Sequence, residues 1–229
     1  MSVSKAWDWS KETNSLWMEP SEESYYLSER WKNKYQELLD FGSGLGRHSI
    51  FFAKCGFKVS AFDLSREGVE HLRSWAEREK LNIKTEIADM QNLPYPEKSF
   101  DCIFAYHVIS HTDTNGMNRI ISEIKRILKD GGEFYLTLCS KETWSFKEAG
   151  FPKLDANTVI KKEDGPENDI PHFFVSLDDI LRLFKEFEII RIRHTDDCYF
   201  DGKKRNSKHY FILGSQPSGT NSPVTAMTK

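Results

Sequence analysis

Two rhythms of apolar residues alternate along the chain. Apolar runs of strand length cover residues 37–41, 57–62, 83–88, 100–108, 133–138, 187–194 and 207–213. Between most of them, apolar side chains recur every three or four positions, the spacing of one helix face. The clearest such stretch is 117–128, where Ile120, Ile121, Ile124, Ile127 and Leu128 share a side. A second runs from a capping Ser65 to about Lys80, with Val69, Leu72, Trp75 and Ala76 aligned. Shorter helical patterns cover 47–54, stopped at Cys55-Gly56, and 177–184. The run at 100–108 is apolar throughout, as a strand covered on both faces should be. Strands alternating with helices predict a parallel sheet joined by right-handed crossovers. No helix separates the last two strands, so they are expected to pair antiparallel through a turn at Asp201-Gly202.

Three stretches break the rhythm. Residues 1–34 carry Trp7, Trp9, Trp17, Tyr25, Tyr26 and Trp31 among charges and predict a helical, aromatic-rich cap. Residues 140–175 are rich in Lys, Glu, Asp, Pro and aromatics, and so long an irregular insertion in a compact domain is more often functional than filler. Residues 214–229, rich in Ser, Thr, Gly and Pro, predict a disordered tail after a domain spanning 35–213.

Composition narrows the picture further. A chain of 229 residues with 38% hydrophobic and 29% charged residues is expected to be a soluble globular protein. The formal net charge of −3 argues against a nucleic-acid partner, which needs clustered Lys and Arg. The run Lys203-Lys204-Arg205 is short and sits at an expected turn. No stretch has the ~20 apolar residues of a membrane span, and the N-terminus has no apolar signal core, so no membrane partner and a cytoplasmic location are expected. Cys55, Cys102, Cys139 and Cys198 are scattered without a CxxC pair, and no ligand cluster predicts a metal site.

The chemistry begins at the first strand. Leu38-Leu39-Asp40-Phe41 runs into Gly42-Ser43-Gly44-Leu45-Gly46, and a helix follows at once. Glycines let the backbone approach a ligand, and the free N–H groups of a helix start lie beside it. Asp63 closes the second strand, where a carboxylate can accept hydrogen bonds from both hydroxyls of a ribose. A dinucleotide fingerprint would put its third glycine where Arg47 stands.

The form D-x-G-x-G resembles motif I of class I, Rossmann-like S-adenosylmethionine-dependent methyltransferases with a type 11/25-like domain. The resemblance continues through Asp63-Leu64-Ser65, Ala88-Asp89-Met90, Leu93-Pro94, the strand from Phe100 to Ala105 and the lead-in Leu128-Lys129-Asp130-Gly131-Gly132. It covers roughly residues 36–140. It implies an α/β fold: a three-layer α/β/α sandwich around a seven-stranded, mostly parallel sheet with an antiparallel last strand. It also implies S-adenosylmethionine as cofactor, with S-adenosylhomocysteine as product. Gly42, Ser43, Gly44 and Gly46 would line its methionyl part, with Asp40 near the amino group. Asp63 would hold the ribose, Leu64 and Met90 would flank the adenine, and Asp89 would bond its amino group. Tyr106 would face the sulfonium end. Arg47 either pairs with the cofactor carboxylate or is a solvated charge.

Methyl transfer is an in-line displacement in which the protein mainly aligns the acceptor. His107 and His111, just after the fourth strand, are the candidates to face it; the plainer reading is two satisfied loop histidines. The insertion and the N-terminal segment are expected to form a substrate lid, with Trp17, Tyr25, Trp144, His172 and Phe173 lining the pocket; the alternative is ordinary aromatic packing. A small-molecule acceptor and a monomer or homodimer are expected. Alternatives are a protein or RNA methyltransferase, a nucleotide-binding oxidoreductase, or a non-catalytic cofactor binder.

Overall fold

The computed structural model describes residues 5, 7, 9, 15–163, 165, 167–198 and 205–219. Five strands lie side by side in the order β3 (Lys84–Ile87), β2 (Lys58–Asp63), β1 (Glu37–Phe41), β4 (Phe100–Ala105) and β5 (Leu128–Ser140), all parallel. Antiparallel to β5 runs β9 (Ser207–Ser215), and β8 (Glu188–Asp197) pairs antiparallel with β9. These are the seven strands the apolar runs predict. The insertion adds a hairpin of β6 (Thr158–Ile160) and β7 (Pro171–Val175). Cys139 of β5 pairs with His209 on one edge and Phe174 on the other, so β7 takes up the edge that β4 vacates beyond Ala105.

Period-two alternation, apolar on both faces, is what makes three layers. Leu39, Ile103, Ala105, Phe134 and Leu136 share a buried cluster with Ile120, Ile124 and Ile127 of α4 (Thr114–Ile127) and Ile180 of α6 (Leu177–Leu183). Leu38, Cys102, Phe104 and Tyr135 face the other way, onto Leu27 and Trp31 of α1 (Glu22–Trp31) and Phe52 of α2 (Arg47–Lys54). In α3 (Arg66–Arg78), Leu72 and Ala76 pack on Ile50 and Ala61. Ser65 caps α3 by accepting from the Gly68 N–H, the cap its sequence predicts. A short α5 (Trp144–Lys147) lies in the insertion.

Some boundaries move. Strand β4 ends at Ala105, not 108, because the backbone turns out of the sheet at His107, whose φ is 53°. Helix α4 starts at Thr114, not 117, because the Asp113 carboxylate accepts from the Gly116 N–H and caps it there. The expected tail starts too early at 214: Gly214 pairs with Phe134 in the sheet, and the Gln216 N–H donates to the Gly132 carbonyl. The rest of that tail, 220–229, lies outside the described residues, as do Asp201, Gly202, Lys203 and Lys204. Among the described residues, no helix is long and apolar enough to cross a membrane. All four cysteines are free thiols.

Candidate active site

From β1 the chain crosses to β2 on one side, and β4 pairs on the other. A crevice therefore opens at the carboxyl ends of these strands, the position where open α/β sheets bind ligands. The glycine loop forms its floor. Gly44, at φ 53°, presents its N–H to Asp63 Oδ2 at 2.8 Å, while Asp63 Oδ1 accepts from the Ser65 N–H at 2.8 Å. Burial pushes the Asp63 carboxyl up, against the backbone hydrogen bonds from Ser65, Gly44 and Leu64 that lower it.

The cleft brings together Gly42, Ser43, Gly44, Arg47, Asp63, Leu64, Asp89, Met90, Tyr106, His107, His111 and Trp17, which the sequence reading scattered over 95 positions. Gly46 stands behind it. At φ 98° it is the left-handed residue that starts α2, and a Cβ there would collide with Leu72. Asp40 is also behind the loop, 2% exposed, with Oδ2 accepting from Ser49 Oγ at 2.5 Å. Arg47 is no solvated charge: its Nη1 donates to the Glu19 carbonyl, and its guanidinium lies 5.0 Å from the Trp17 ring. His48 is a buried acceptor for the Ser21 N–H, and burial holds its imidazole neutral, well below its usual range.

A second cavity of about 770 Å³ adjoins the cleft. Both share Trp7, Trp17, His107 and His111 as a common wall. Its far side is built from the insertion and the β5/β9 edge: Trp144, Lys161, Glu167, His172, Cys139 and His209. His107 donates its backbone N–H to Thr137 Oγ1 at 2.6 Å, and burial keeps its imidazole neutral. Burial also lowers His172 and His209, each to about 4.

Two expected lining residues are elsewhere. Tyr25 is 55% exposed on the outer face of α1, where its ring meets Phe51; the helical phase of α1 turns it away from the cleft. Phe173 is 2% exposed inside the main apolar cluster, because strand alternation points it opposite to His172. Trp144 and His172 do line the second cavity. Glu167, Lys161 and His209 were not legible as site residues, since no local spacing links them to the glycine loop. Trp7 and Trp9 belong to the aromatic-rich segment, whose composition was the available signal.

Residues 38–132 match the family model of a methyltransferase domain. Over this stretch the chain is similar to the methyltransferase domain that this family model describes. This domain is 30% identical over 106 residues to a sterol 24-C-methyltransferase of Gibberella zeae, a match spanning 43% of this chain and 26% of that relative. Its fold superposes on a S-adenosylmethionine-dependent methyltransferase of Methanosarcina mazei with a TM-score of 0.71 at 18% identity, covering 84% of this chain and 97% of the other. A 1,6-didemethyltoxoflavin-N1-methyltransferase of Burkholderia thailandensis, solved with 1,6-didemethyltoxoflavin and S-adenosylhomocysteine bound, gives 0.62 at 14% identity over 86% and 78%.

The residues present suit this cofactor. Ser43 Oγ, Trp7 Nε1 and Trp9 Nε1 are buried polar atoms at the cleft without a protein partner. A Cβ on Gly44 would collide with the Trp9 ring, so the cradle depends on glycine there.

The loop also carries a measurable electrostatic cost. Burial lifts Asp40 from 3.8 to about 7, against the Ser49 hydrogen bond and the Arg47 charge. The folded chain then binds this proton more tightly than the unfolded chain, so stability is fully present below 3.8 and is lost as pH rises to about 7. The change corresponds to at most about 4 kcal/mol. The variant Asp40→Asn is therefore expected to unfold at a higher temperature than the parent at pH 8, with the gap shrinking by pH 5. Calorimetric scans of both proteins at the two pH values check this; a gap independent of pH would refute it.

Proposed function

We propose that this domain transfers a methyl group from S-adenosylmethionine to a small-molecule acceptor held in the second cavity. The observation that carries this reading is the common wall of Trp7, Trp17, His107 and His111 between the cleft and a larger cavity of about 770 Å³. Such a chamber suits a compact ligand. A protein or nucleic-acid acceptor would be favoured by an open basic groove, and the chain's acidic balance runs the other way. The sterol methyltransferase and the toxoflavin-precursor methyltransferase named above act on small molecules, which accords with this reading.

The cofactor supplies an electrophilic sulfonium methyl, so the chain's own task is binding and alignment. Asp63 holds the ribose hydroxyls while tethering the Gly44 N–H. Asp89 and Met90 hold the adenine, with Leu64 beside it. The loop from Gly42 to Gly46 holds the amino-acid end, and Asp40, buried behind it on Ser49, supports the loop. Arg47, fixed over Trp17, stands by the carboxylate. About 100 Å³ of free space remains beside the loop, where Trp9 rests on Gly44 and Gly68, so that ring gives way for the cofactor to enter. Tyr106 and neutral His107 close the sulfonium end and orient the acceptor's reacting atom.

Calorimetry with S-adenosylhomocysteine and NAD, followed by a metabolite screen read by methyl mass gain, tests the reading. S-adenosylhomocysteine should bind and NAD should not. On the acceptor found, His107→Ala should lower kcat about a hundredfold with S-adenosylhomocysteine affinity little changed. Binding of NAD alone, or unchanged turnover in both His107→Ala and His111→Ala, would overturn it.

A further inference from the structure

The fold brings three metal-ligating side chains to one point of the second cavity. Glu167 Oε1 lies 3.3 Å from His172 Nε2 and 3.7 Å from His111 Nε2, and the three donor atoms all fall within 4.8 Å of one another. The residues come from three places: the turn after β4, the loop between β6 and β7, and β7 itself. No sequence spacing announces them.

We propose that His111, Glu167 and His172 bind a first-row transition-metal dication at the border of the two cavities. His172 carries an unmet lone pair. His172 Nδ1 lies 3.0 Å from the Ile170 carbonyl, so Nδ1 carries the proton and donates there. Nε2 of the neutral ring is then a bare acceptor. It is buried without a hydrogen-bond partner, on a side chain 1% exposed, and it faces a carboxylate oxygen. Two acceptors face each other across 3.3 Å, and a cation between them turns that contact from repulsive to attractive.

The ligands are themselves held by neighbouring groups. Metal-bound imidazoles characteristically donate their other nitrogen to a backbone carbonyl or carboxylate, and ligating carboxylates are themselves hydrogen-bonded. Both features are built here. The Ile170 carbonyl fixes the His172 tautomer, and Lys161 pairs with Glu167 Oε2, leaving Oε1 turned to the histidines. The His111 and His172 rings lie 4.8 Å apart at 69°, so neither stacks over the other.

The donor set selects the ion. Two imidazole nitrogens and one carboxylate oxygen suit Zn²⁺, Co²⁺ or Fe²⁺, and fit Mg²⁺ or Ca²⁺ poorly. Metal–ligand bonds of about 2.1 Å place tetrahedral donors about 3.4 Å apart, near the two separations seen. Three protein ligands leave a coordination position open toward the second cavity. Resting on the reading of that cavity as the acceptor chamber, the open position would take an acceptor's oxygen, nitrogen or sulfur atom and lower its proton affinity. His111 also lines the cofactor cleft, so an atom held there lies at the cleft's edge.

The test uses the tag-free full chain and the metal ion alone. Titration with Zn²⁺ by calorimetry, and with Co²⁺ by visible absorption, should give one site per chain and cobalt bands of a low-coordinate N/O set. Glu167→Gln and His172→Gln should each weaken Zn²⁺ binding about a hundredfold while binding S-adenosylhomocysteine like the parent, which also shows that they fold. No stoichiometric binding, as a protonated His172–Glu167 ion pair alone would give, overturns the proposal. So does binding undiminished in both variants. Metal binding without S-adenosylhomocysteine binding would instead sink the methyltransferase reading and leave this site standing.

Discussion

Replacing Asp63 with alanine is expected to cut S-adenosylhomocysteine affinity at least a hundredfold, about 2.8 kcal/mol. Two losses combine. The carboxylate is the group proposed to accept from both ribose hydroxyls, and bonds to a charged acceptor are among the stronger ones. It also tethers the Gly44 N–H and the Ser65 N–H, each at 2.8 Å, so its removal loosens the loop that forms the cleft floor. Fold stability should change little, because Asp63 sits at the strand end and burial already disfavours its charge. The variant Asp63→Asn keeps one acceptor oxygen and should fall between the two. Calorimetric titration of the three proteins decides the matter, and an alanine variant within threefold of the parent would contradict the assignment.

The second large effect is expected far from the cleft. Glu133 is 3% exposed in β5 and accepts four hydrogen bonds from α1 and the turn after it. Arg30 donates through Nε at 2.7 Å and Nη2 at 3.0 Å, Trp31 through Nε1 at 2.8 Å, and Lys34 through Nζ at 3.1 Å. Although burial raises its carboxyl, these donors hold it below its usual range. Truncation orphans a buried indole N–H and leaves two cations facing an apolar gap. The variant Glu133→Ala should lose about 3 kcal/mol, the low end for breaking a buried pair because both cations retain some water. For a chain of this size that is a fall of roughly 6–12 °C in Tm. Amide exchange should rise first in α1, which this carboxylate pins to the sheet. A loss under about 1 kcal/mol would show that apolar packing of Leu27 and Trp31 holds α1 without it.

The two predictions separate what local sequence encodes from what it does not. Asp63 is readable from the chain alone, because a strand, a glycine loop, a helix and a strand ending in acid form one contiguous unit. Glu133 is not. It stands beside Gly132 at the start of an apolar run, where it reads as a polar strand edge, and its partners lie a hundred positions away. Tyr25 and Phe173 show the same limit from the other side: Tyr25 was expected in a helical cap and Phe173 in an irregular insertion, but helix phase in α1 and strand alternation in β7 turn both from the cavity.

What the sequence by itself determined is therefore the sheet, the helices that flank it, and the glycine loop with Asp63. Apolar periodicity, caps such as Ser65 and backbone turns that need glycine act over a few residues and leave a local signature. Only the tertiary structure decided which side chains meet across long loops: Trp9 on Gly44, Glu133 under Arg30, and His111 with Glu167 and His172. Those contacts arise when β7 completes the edge that β4 leaves open, and packing of distant segments has no counterpart in the spacing of residues along the chain.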